Sequence, residues 1–190
     1  MLLTIDIGNT NISMGVFEGA ASKATWRFAT DPNRLVDEYG LLVRNLLPLK
    51  GVSIDSITGS SICSVVPPLT SAFEELCRTY FNVQPLTVGT GVKTGVRILY
   101  DNPRDVGSDR IVDAAAAYHL YGGPLIIVDF GTATVFDAVS SQGEYIGGAI
   151  APGIKVALEA LFLNTSQLRR VELITPKTVI GKNTAHAMQS

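Results

Sequence analysis

A short acidic motif occurs twice in this 190-residue chain. The first copy, at residues 6–11, reads Asp-Ile-Gly-Asn-Thr-Asn, and the second, at residues 129–134, reads Asp-Phe-Gly-Thr-Ala-Thr. A carboxylate at the end of a strand can hold a hydrated cation, and a glycine turn lets backbone N–H groups approach an anion closely. Two such motifs facing one ligand would clamp a metal-bound polyphosphate. The alternative for the first copy is an ordinary hairpin turn, because Gly-Asn between apolar runs is common turn chemistry.

A third carboxylate, Asp109, belongs to the sequence Gly-Ser-Asp-Arg at residues 107–110. A carboxylate beside an alcohol can act as a general base while the alcohol oxygen attacks a phosphoryl group, and positioning matters more than base strength in that reaction. Arg110 would then hold a substrate carboxylate or the transferred phosphoryl group. The alternative is that Ser108 or Asp109 caps the helix that follows, and both functions can coexist.

The elements that must position these residues alternate between strands and helices. Each acidic motif opens a strand meander, the first over residues 3–29 and the second over residues 125–146. Hydrophobic spacing predicts further strands at 57–65 and 86–88 and helices at 35–46, 67–81, 108–121, 154–163 and 182–190. The many Gly, Pro, Asn and Asp residues at 89–107 predict a long loop, and long loops in compact domains are often functional. The repeated order predicts an α/β fold of two half-domains, residues 1–105 and 106–190.

Composition excludes several classes of protein. The net charge is −2, and the chain has no cluster of basic and aromatic residues that would indicate nucleic-acid binding. The N-terminus has no signal-peptide pattern, and no apolar run is long enough to predict a membrane span. Two cysteines are too few for a disulfide framework, so the sequence predicts reduced thiols and a cytoplasmic protein. His119 and His186 have no second ligand at metal-binding spacing.

Five motifs, in order along the chain, resemble those of type III pantothenate kinases. They lie at residues 6–10, 100–103, 107–110, 129–134 and 147–153. The resemblance implies a duplicated actin-like ATPase fold, related to ribonuclease H, in which each half-domain has a mixed sheet with flanking helices. Family members are usually longer, so the chain resembles a member without the C-terminal portion. The implied activity is ATP-dependent phosphorylation of pantothenate to 4'-phosphopantothenate, the first step of coenzyme A biosynthesis.

The resemblance also implies roles for individual residues, with Asp109 as the general base. The residues implied for ATP binding are Asp6, Ile7, Gly8, Asn9, Thr10, Asn11, Ile12, Ser13 and Thr132. The residues implied for pantothenate binding are Tyr100, Gly107, Ser108, Asp109, Arg110 and Thr184. Asp6 would position Mg²⁺ through water, and Asp129 would bind a monovalent cation, K⁺ or NH₄⁺.

The resemblance further implies a homodimer with a shared active site, to which the partner subunit supplies Thr184. Three of the implied residues have structural alternatives: Tyr100 could be a packed aromatic residue, Asp129 a turn residue and Thr184 a helix N-cap. Two other functions stay open. The chain could be a catalytically weak or inactive regulatory or binding protein on the same fold, or a relative such as an acetate or sugar kinase.

Overall fold

A computed structural model describes residues 1–89 and 91–190, and it confirms the predicted α/β class. Thr90, which falls within the predicted loop at 89–107, lies outside the described residues. The strands are β1 (Leu2–Ile7), β2 (Asn11–Glu18), β3 (Ala21–Ala29), β4 (Gly59–Ser64), β5 (Pro85–Thr87), β6 (Arg97–Ile98), β7 (Leu125–Phe130), β8 (Ala133–Val139) and β9 (Glu144–Pro152). The α-helices are α1 (Val36–Leu49), α2 (Pro67–Phe81), α3 (Ser108–Tyr121), α4 (Ile154–Asn164) and α5 (Thr184–Gln189).

The described residues form two compact units. The first contains Met1–Leu125 together with Val139–Ile146, and the second contains Ile126–Ala138 together with Gly147–Ser190. The predicted boundary at residue 105 separates two duplicated half-domains, which is a different property from compactness. That boundary stays a prediction.

The first unit contains a five-stranded mixed sheet with the order β3-β2-β1-β4-β5. β2 is antiparallel to both β1 and β3, whereas β4 is parallel to β1 and β5 is parallel to β4. Because β1 and β4 run in the same direction, their carboxyl ends meet at one edge of the sheet. The first acidic motif begins at that edge, where Asp6 is in register with Cys63.

One face of this sheet supports the main hydrophobic core. Along β1 the side chains of Leu3, Ile5 and Ile7 are buried, and they alternate with residues that point to the opposite face. Helices α1 and α2 contribute apolar side chains to the same core, where the rings of Tyr39 and Phe73 lie 4.8 Å apart between centroids. The strand and helices that carry the first motif are therefore anchored by dense packing.

A second sheet has the strand order β6-β9-β8-β7. β6 is parallel to β9, and it pairs Arg97 with Glu144 and Ile98 with Tyr145. This strand corrects the prediction of an uninterrupted loop over residues 89–107. Its pairing partner lies 47 residues further along the chain, so local sequence could not reveal it.

In the second unit, α4 has no buried residue and the apolar side chains of β7 are largely exposed. The predicted helix at 182–190 is present as the shorter α5. Across residues 1–89 and 91–190, every helix falls short of the length and apolar character needed to cross a bilayer.

Candidate functional site

The strand register places Asp6 on the face of the sheet opposite the hydrophobic core. Its neighbours Ile5 and Ile7 are buried, whereas Asp6 is exposed. Asp6 pairs with Cys63 of the parallel strand β4, so both side chains project from the same face near the carboxyl ends of the two strands. Ser13 of β2 is the antiparallel partner of Asp6 on the other side.

The first turn of α3 is attached to the end of β4 by Ser108. The hydroxyl of Ser108 accepts a hydrogen bond from the Ser64 N–H at 3.2 Å and donates one to the Ser64 carbonyl at 2.8 Å. The Cys63 thiol donates to the same hydroxyl at 3.5 Å. The N-cap position belongs to Gly107 and has no side-chain hydrogen bond, so the prediction that Ser108 or Asp109 caps this helix is wrong.

The pKa of Cys63 is raised by burial and by nearby carboxylates. Burial raises the pKa of the Cys63 thiol to about 12, the Ser108 hydrogen bond opposes that rise, and the charges of Asp6 and Asp109 add to it. Asp113 also raises the pKa of this thiol, and sequence reasoning missed it. Residues four apart on a helix share one face, so the spacing of Asp113 from Asp109 was the sequence signal that could have identified it.

The glycine before the helix makes room for the predicted general base. The Asp109 carboxylate accepts a hydrogen bond from the Arg110 N–H at 2.8 Å. A Cβ atom at position 107 would collide with Asp109 Oδ1, so any larger residue would displace the carboxylate. The sequence Gly-Ser-Asp therefore combines space for the base with an anchored helix start.

The predicted phosphate loop is a tight turn held from one side by Thr30, the residue that follows β3. The Gly8 N–H donates to the Asn11 carbonyl at 3.0 Å. Thr30 braces the turn twice, because its hydroxyl donates to the Gly8 carbonyl at 2.6 Å and its N–H donates to the Thr10 carbonyl at 3.0 Å. Asn9, Thr10 and Asn11 are exposed in this loop.

Two predicted ATP-binding residues have no accessible side chain. Ile7 and Ile12 are both fully buried in the core. Any contact they make with a nucleotide would have to come from their backbone groups. Their side chains instead fix the two ends of the loop.

An aromatic residue that sequence reasoning missed connects Tyr100 with Arg110. The ring of Tyr145 lies 6.2 Å from that of Tyr100, and the Arg110 guanidinium carbon lies 5.6 Å from the Tyr145 ring centroid. Tyr145 is fully buried, whereas Tyr100 and Arg110 are half-buried. No local motif marks Tyr145, because its contacts come from the pairing of β6 with β9.

The second acidic motif forms a hairpin turn in the second unit. Asp129 is exposed near the end of β7, and the Gly131 N–H donates to the Ala133 carbonyl at 2.9 Å. The exposed Thr132 presents its carbonyl to the Gly153 N–H at 3.1 Å. A Cβ atom on Gly153 would collide with the carbonyl oxygens of Gly131 and Thr132, so this glycine permits close packing of α4 against the turn.

Thr184 is the first residue of α5 rather than its cap. Asn183 holds the N-cap position, where its side chain accepts a hydrogen bond from the His186 N–H at 2.8 Å. The alternative prediction of an N-cap role for Thr184 is therefore wrong. Asp129, Thr132 and Thr184 belong to the second unit, and the other predicted site residues belong to the first.

The acidic residues fit a cation that retains most of its water. Within the part of the chain that the structure describes, His, Cys, Asp and Glu residues form no cluster of three or more suited to a metal ion. Mg²⁺ requires no such cluster, because it keeps several waters and is bound by one or two carboxylates plus phosphate oxygens. Asp6 offers an exposed carboxylate of this kind, and Asp129 offers another in the second unit.

A surface cavity of about 640 Å³ in the first unit involves none of the predicted residues. It is lined by Arg44, Pro48, Gly51, Val52, Ser53, Ile54, Asp55 and Tyr80. It carries no grouping of nucleophile, base and anion-binding donors, so we do not assign chemistry to it.

Comparisons with known proteins agree with the motifs. The sequence model of the type III pantothenate kinase family matches residues 2–190. The chain is 55% identical to type III pantothenate kinase 2 of Symbiobacterium thermophilum, over 100% of this chain and 72% of that protein. It is 53% identical to type III pantothenate kinase of Moorella thermoacetica, over 100% of this chain and 75% of that protein.

Among solved structures, the fold is similar to that of a conserved Campylobacter jejuni protein assigned to the Baf family of transcriptional activators. The TM-score is 0.57 with 18% identity, over 98% of this chain and 71% of that chain. This likeness concerns the fold alone, whereas the sequence matches span the whole chain. The chain belongs to the type III pantothenate kinase family.

Proposed function

We propose that this chain transfers the γ-phosphoryl group of ATP to the primary hydroxyl of pantothenate, the first step of coenzyme A biosynthesis. The observation that carries the proposal is that Asp6 and the helix start bearing Asp109 both lie at the carboxyl edge of β1 and β4. Ser108 fixes this geometry, because its hydroxyl bonds both backbone groups of Ser64. Family membership agrees with this assignment.

Asp109 acts as the general base in this proposal. Its position in the first turn of α3, with Gly107 leaving space beside it, lets the carboxylate accept the proton of an alcohol. A loose phosphoryl-transfer transition state needs little proton abstraction until late, so an aspartate of ordinary basicity suffices. The anchored helix start supplies orientation, which is the larger requirement.

The first acidic hairpin holds the ATP phosphates. Its exposed residues Asn9, Thr10 and Asn11 can donate hydrogen bonds to phosphate oxygens, and Gly8 permits close approach. Asp6 positions hydrated Mg²⁺, which when bound neutralises charge on the β- and γ-phosphates. Arg110 binds the pantothenate carboxylate or the transferred group, with Tyr100 beside it.

Four finer features complete the proposal. Asp129 binds a monovalent cation, K⁺ or NH₄⁺, supported by its exposed carboxylate beside a glycine turn. Thr132 contacts ATP, and Thr184 reaches pantothenate in the other subunit of a homodimer. The protein works in the cytoplasm, supported by two buried free cysteines, which a reducing compartment preserves.

A coupled assay of ADP formation tests this proposal. Turnover is expected with pantothenate, MgATP and K⁺, and it falls when K⁺ is replaced by Na⁺. Asp109→Asn should reduce kcat by about 10²- to 10⁴-fold, the usual contribution of general acid–base catalysis. Asp55→Asn, an exposed aspartate in the same unit, is the matched control and should retain activity.

Three outcomes would contradict the assignment. Full activity in Asp109→Asn would remove the proposed base. Calorimetric binding of ATP or pantothenate without turnover would favour a binding or regulatory protein on the same fold. Faster turnover with acetate or a sugar would identify another kinase activity.

A further inference from the structure

Tyr145 contacts two residues to which the proposed function assigns substrate binding. The Arg110 guanidinium carbon lies 5.6 Å from its ring centroid, and the Tyr100 ring lies 6.2 Å away with the planes inclined by 50°. Tyr145 is fully buried, and both neighbours are half-buried. One buried ring therefore contacts two partly exposed side chains from different segments.

Backbone pairing holds the Tyr100 segment against the same residue. Ile98 of β6 is paired with Tyr145 of β9, and the Leu99 N–H donates to the Tyr145 carbonyl at 2.9 Å. The flanking ion pair between Arg97 and Glu144 is exposed and 3.5 Å long, so it contributes little. The position of Tyr100 thus depends on the β6–β9 pairing and on the ring contact.

The contact with Arg110 suits an arginine that binds an anion. A guanidinium group stacks on an aromatic ring through its flat face, whereas it binds carboxylate or phosphate through the N–H groups in its plane. A ring at the face of the guanidinium therefore supports Arg110 while the N–H groups in its plane can bind a ligand. Arg110 is also adjacent to Asp109, so its orientation and that of the proposed base are set by one helical turn.

We propose that Tyr145 is a positioning residue for the alcohol substrate: its ring holds Tyr100 and Arg110 in the arrangement in which they bind that substrate. This inference rests on the proposed function and adds a residue to it. The two contacts on which this role depends are made by the Tyr145 ring.

Steady-state kinetics with pantothenate and MgATP test the role. Tyr145→Leu removes the ring and should raise the KM for pantothenate by about tenfold, the scale of a cation–π contact converted to affinity. The KM for ATP and kcat should stay within about twofold, and Tyr145→Phe should restore the pantothenate KM. Tyr118→Leu is the matched control, since Tyr118 is half-buried near the other end of α3.

Three kinetic outcomes would overturn the proposal. The first is an unchanged pantothenate KM in Tyr145→Leu. The second is a parallel rise in both KM values, which is what general loosening of the fold would produce. The third is an equal defect in Tyr145→Phe. If Tyr145→Leu does not fold, Tyr145→Met is the second variant, because an unbranched side chain fills irregular space better.

A measurement without turnover separates this inference from the proposed function. Phenylglyoxal modifies exposed guanidinium groups, and peptide mass spectrometry can follow Arg110 with the exposed Arg78 of α2 as an internal reference. Loss of the ring should increase the relative modification rate of Arg110 severalfold in Tyr145→Leu, but not in Tyr145→Phe or Tyr118→Leu. Equal rates in wild type and Tyr145→Leu would overturn the inference. Absence of pantothenate turnover in the wild type would overturn the proposed function and leave this measurement decisive.

Discussion

The two acidic motifs have similar sequences but form turns of different construction. In the first, three residues separate β1 from β2 and the Gly8 N–H bonds the Asn11 carbonyl. In the second, two residues separate β7 from β8 and the Gly131 N–H bonds the Ala133 carbonyl. Thr30 braces the first turn, and Gly153 braces the second. The repeated motif therefore preserves the strand and its aspartate, whereas the loop proposed to bind a ligand differs.

The strands that carry the two aspartates also differ in burial. Ile7, which follows Asp6, is fully buried, but Phe130, which follows Asp129, is 72% exposed. The first strand lies over a core closed by α1 and α2, whereas the apolar residues of β7 and α4 remain exposed. The chain spans about three quarters of the length of the curated relatives. The first aspartate thus has a rigid frame within this chain, and the second does not.

The largest expected effect comes from making the same substitution, Phe→Ala, in each of the two units. Phe73→Ala opens a cavity in the first core and should lower the free energy of unfolding by about 3–5 kcal/mol. Phe130→Ala changes an exposed side chain and should alter it by no more than about 0.5 kcal/mol. Urea unfolding followed by circular dichroism measures both. A cost above about 2 kcal/mol for Phe130→Ala would mean that the β7 face is covered in solution, and the contrast would fail.

A second test compares the two turns through their glycines. A methyl group on Gly153 would collide with two backbone carbonyl oxygens, so Gly153→Ala should destabilise by about 1–3 kcal/mol and speed hydrogen exchange at residues 129–134. A methyl group on Gly8 would lie 3.2 Å from the Asn11 oxygen, a milder contact that should cost less. Faster exchange at residues 6–11 in Gly8→Ala than at 129–134 in Gly153→Ala would reverse the comparison.

Local sequence predicted those elements whose signals are local. The Pro-Pro start and apolar stripe of α2 gave its bounds, Pro67–Phe81, because proline is favoured in the first helical turn and one face packs on the core. The α3 helix was likewise predicted, but its N-cap was not. The Ser108 hydroxyl bonds Ser64, which lies 44 residues earlier, instead of capping its own helix.

The candidate site could be predicted where a residue type carries its own chemistry. Asp6 and Asp109 stood out because a carboxylate after a strand or at a helix start suggests a role. The register of β1 with β4 pairs Asp6 with Cys63, and the Ser108 hydrogen bonds attach the helix start that carries Asp109 to the end of β4. Tyr145 could not be found this way, since an aromatic residue in a strand usually indicates core packing. Its importance comes from the pairing of β9 with β6, which depends on tertiary structure.

A third test removes the brace of the first turn. Thr30→Val deletes the 2.6 Å hydrogen bond to the Gly8 carbonyl and should lower the free energy of unfolding by about 0.5–1.5 kcal/mol. The looser turn should also raise the KM for ATP severalfold while leaving the KM for pantothenate unchanged. Thr25→Val, at an exposed position of β3, the strand that precedes Thr30, is the control. Equal KM values for ATP in both variants would show that the turn needs no brace.

The smallest expected effect concerns the pH dependence that Cys63 confers on the first unit. Its pKa of about 12 in the folded chain lies above that of an unfolded cysteine, about 8.5. The folded state therefore retains a proton that the unfolded state loses, so the free energy of unfolding should fall as pH rises from about 9 toward 12. Cys63→Ala should make this fall shallower. Burial also raises the pKa of Cys77, so Cys77 accounts for part of the pH dependence that remains in Cys63→Ala.

Alkylation by iodoacetamide connects this effect with the site, because only the thiolate reacts. In Asp109→Asn one of the charges that raise the Cys63 pKa is gone, so Cys63 should react faster at a given pH below 12. Cys77 in the same sample should react at its wild-type rate, and Asp55→Asn should change neither. If Asp109→Asn leaves the alkylation rate of Cys63 unaltered, the Asp109 carboxylate does not lie near Cys63 and Asp6 in solution. The braced hairpin would then lose its proposed catalytic partner, and the advantage of the first unit over the second would be one of stability alone.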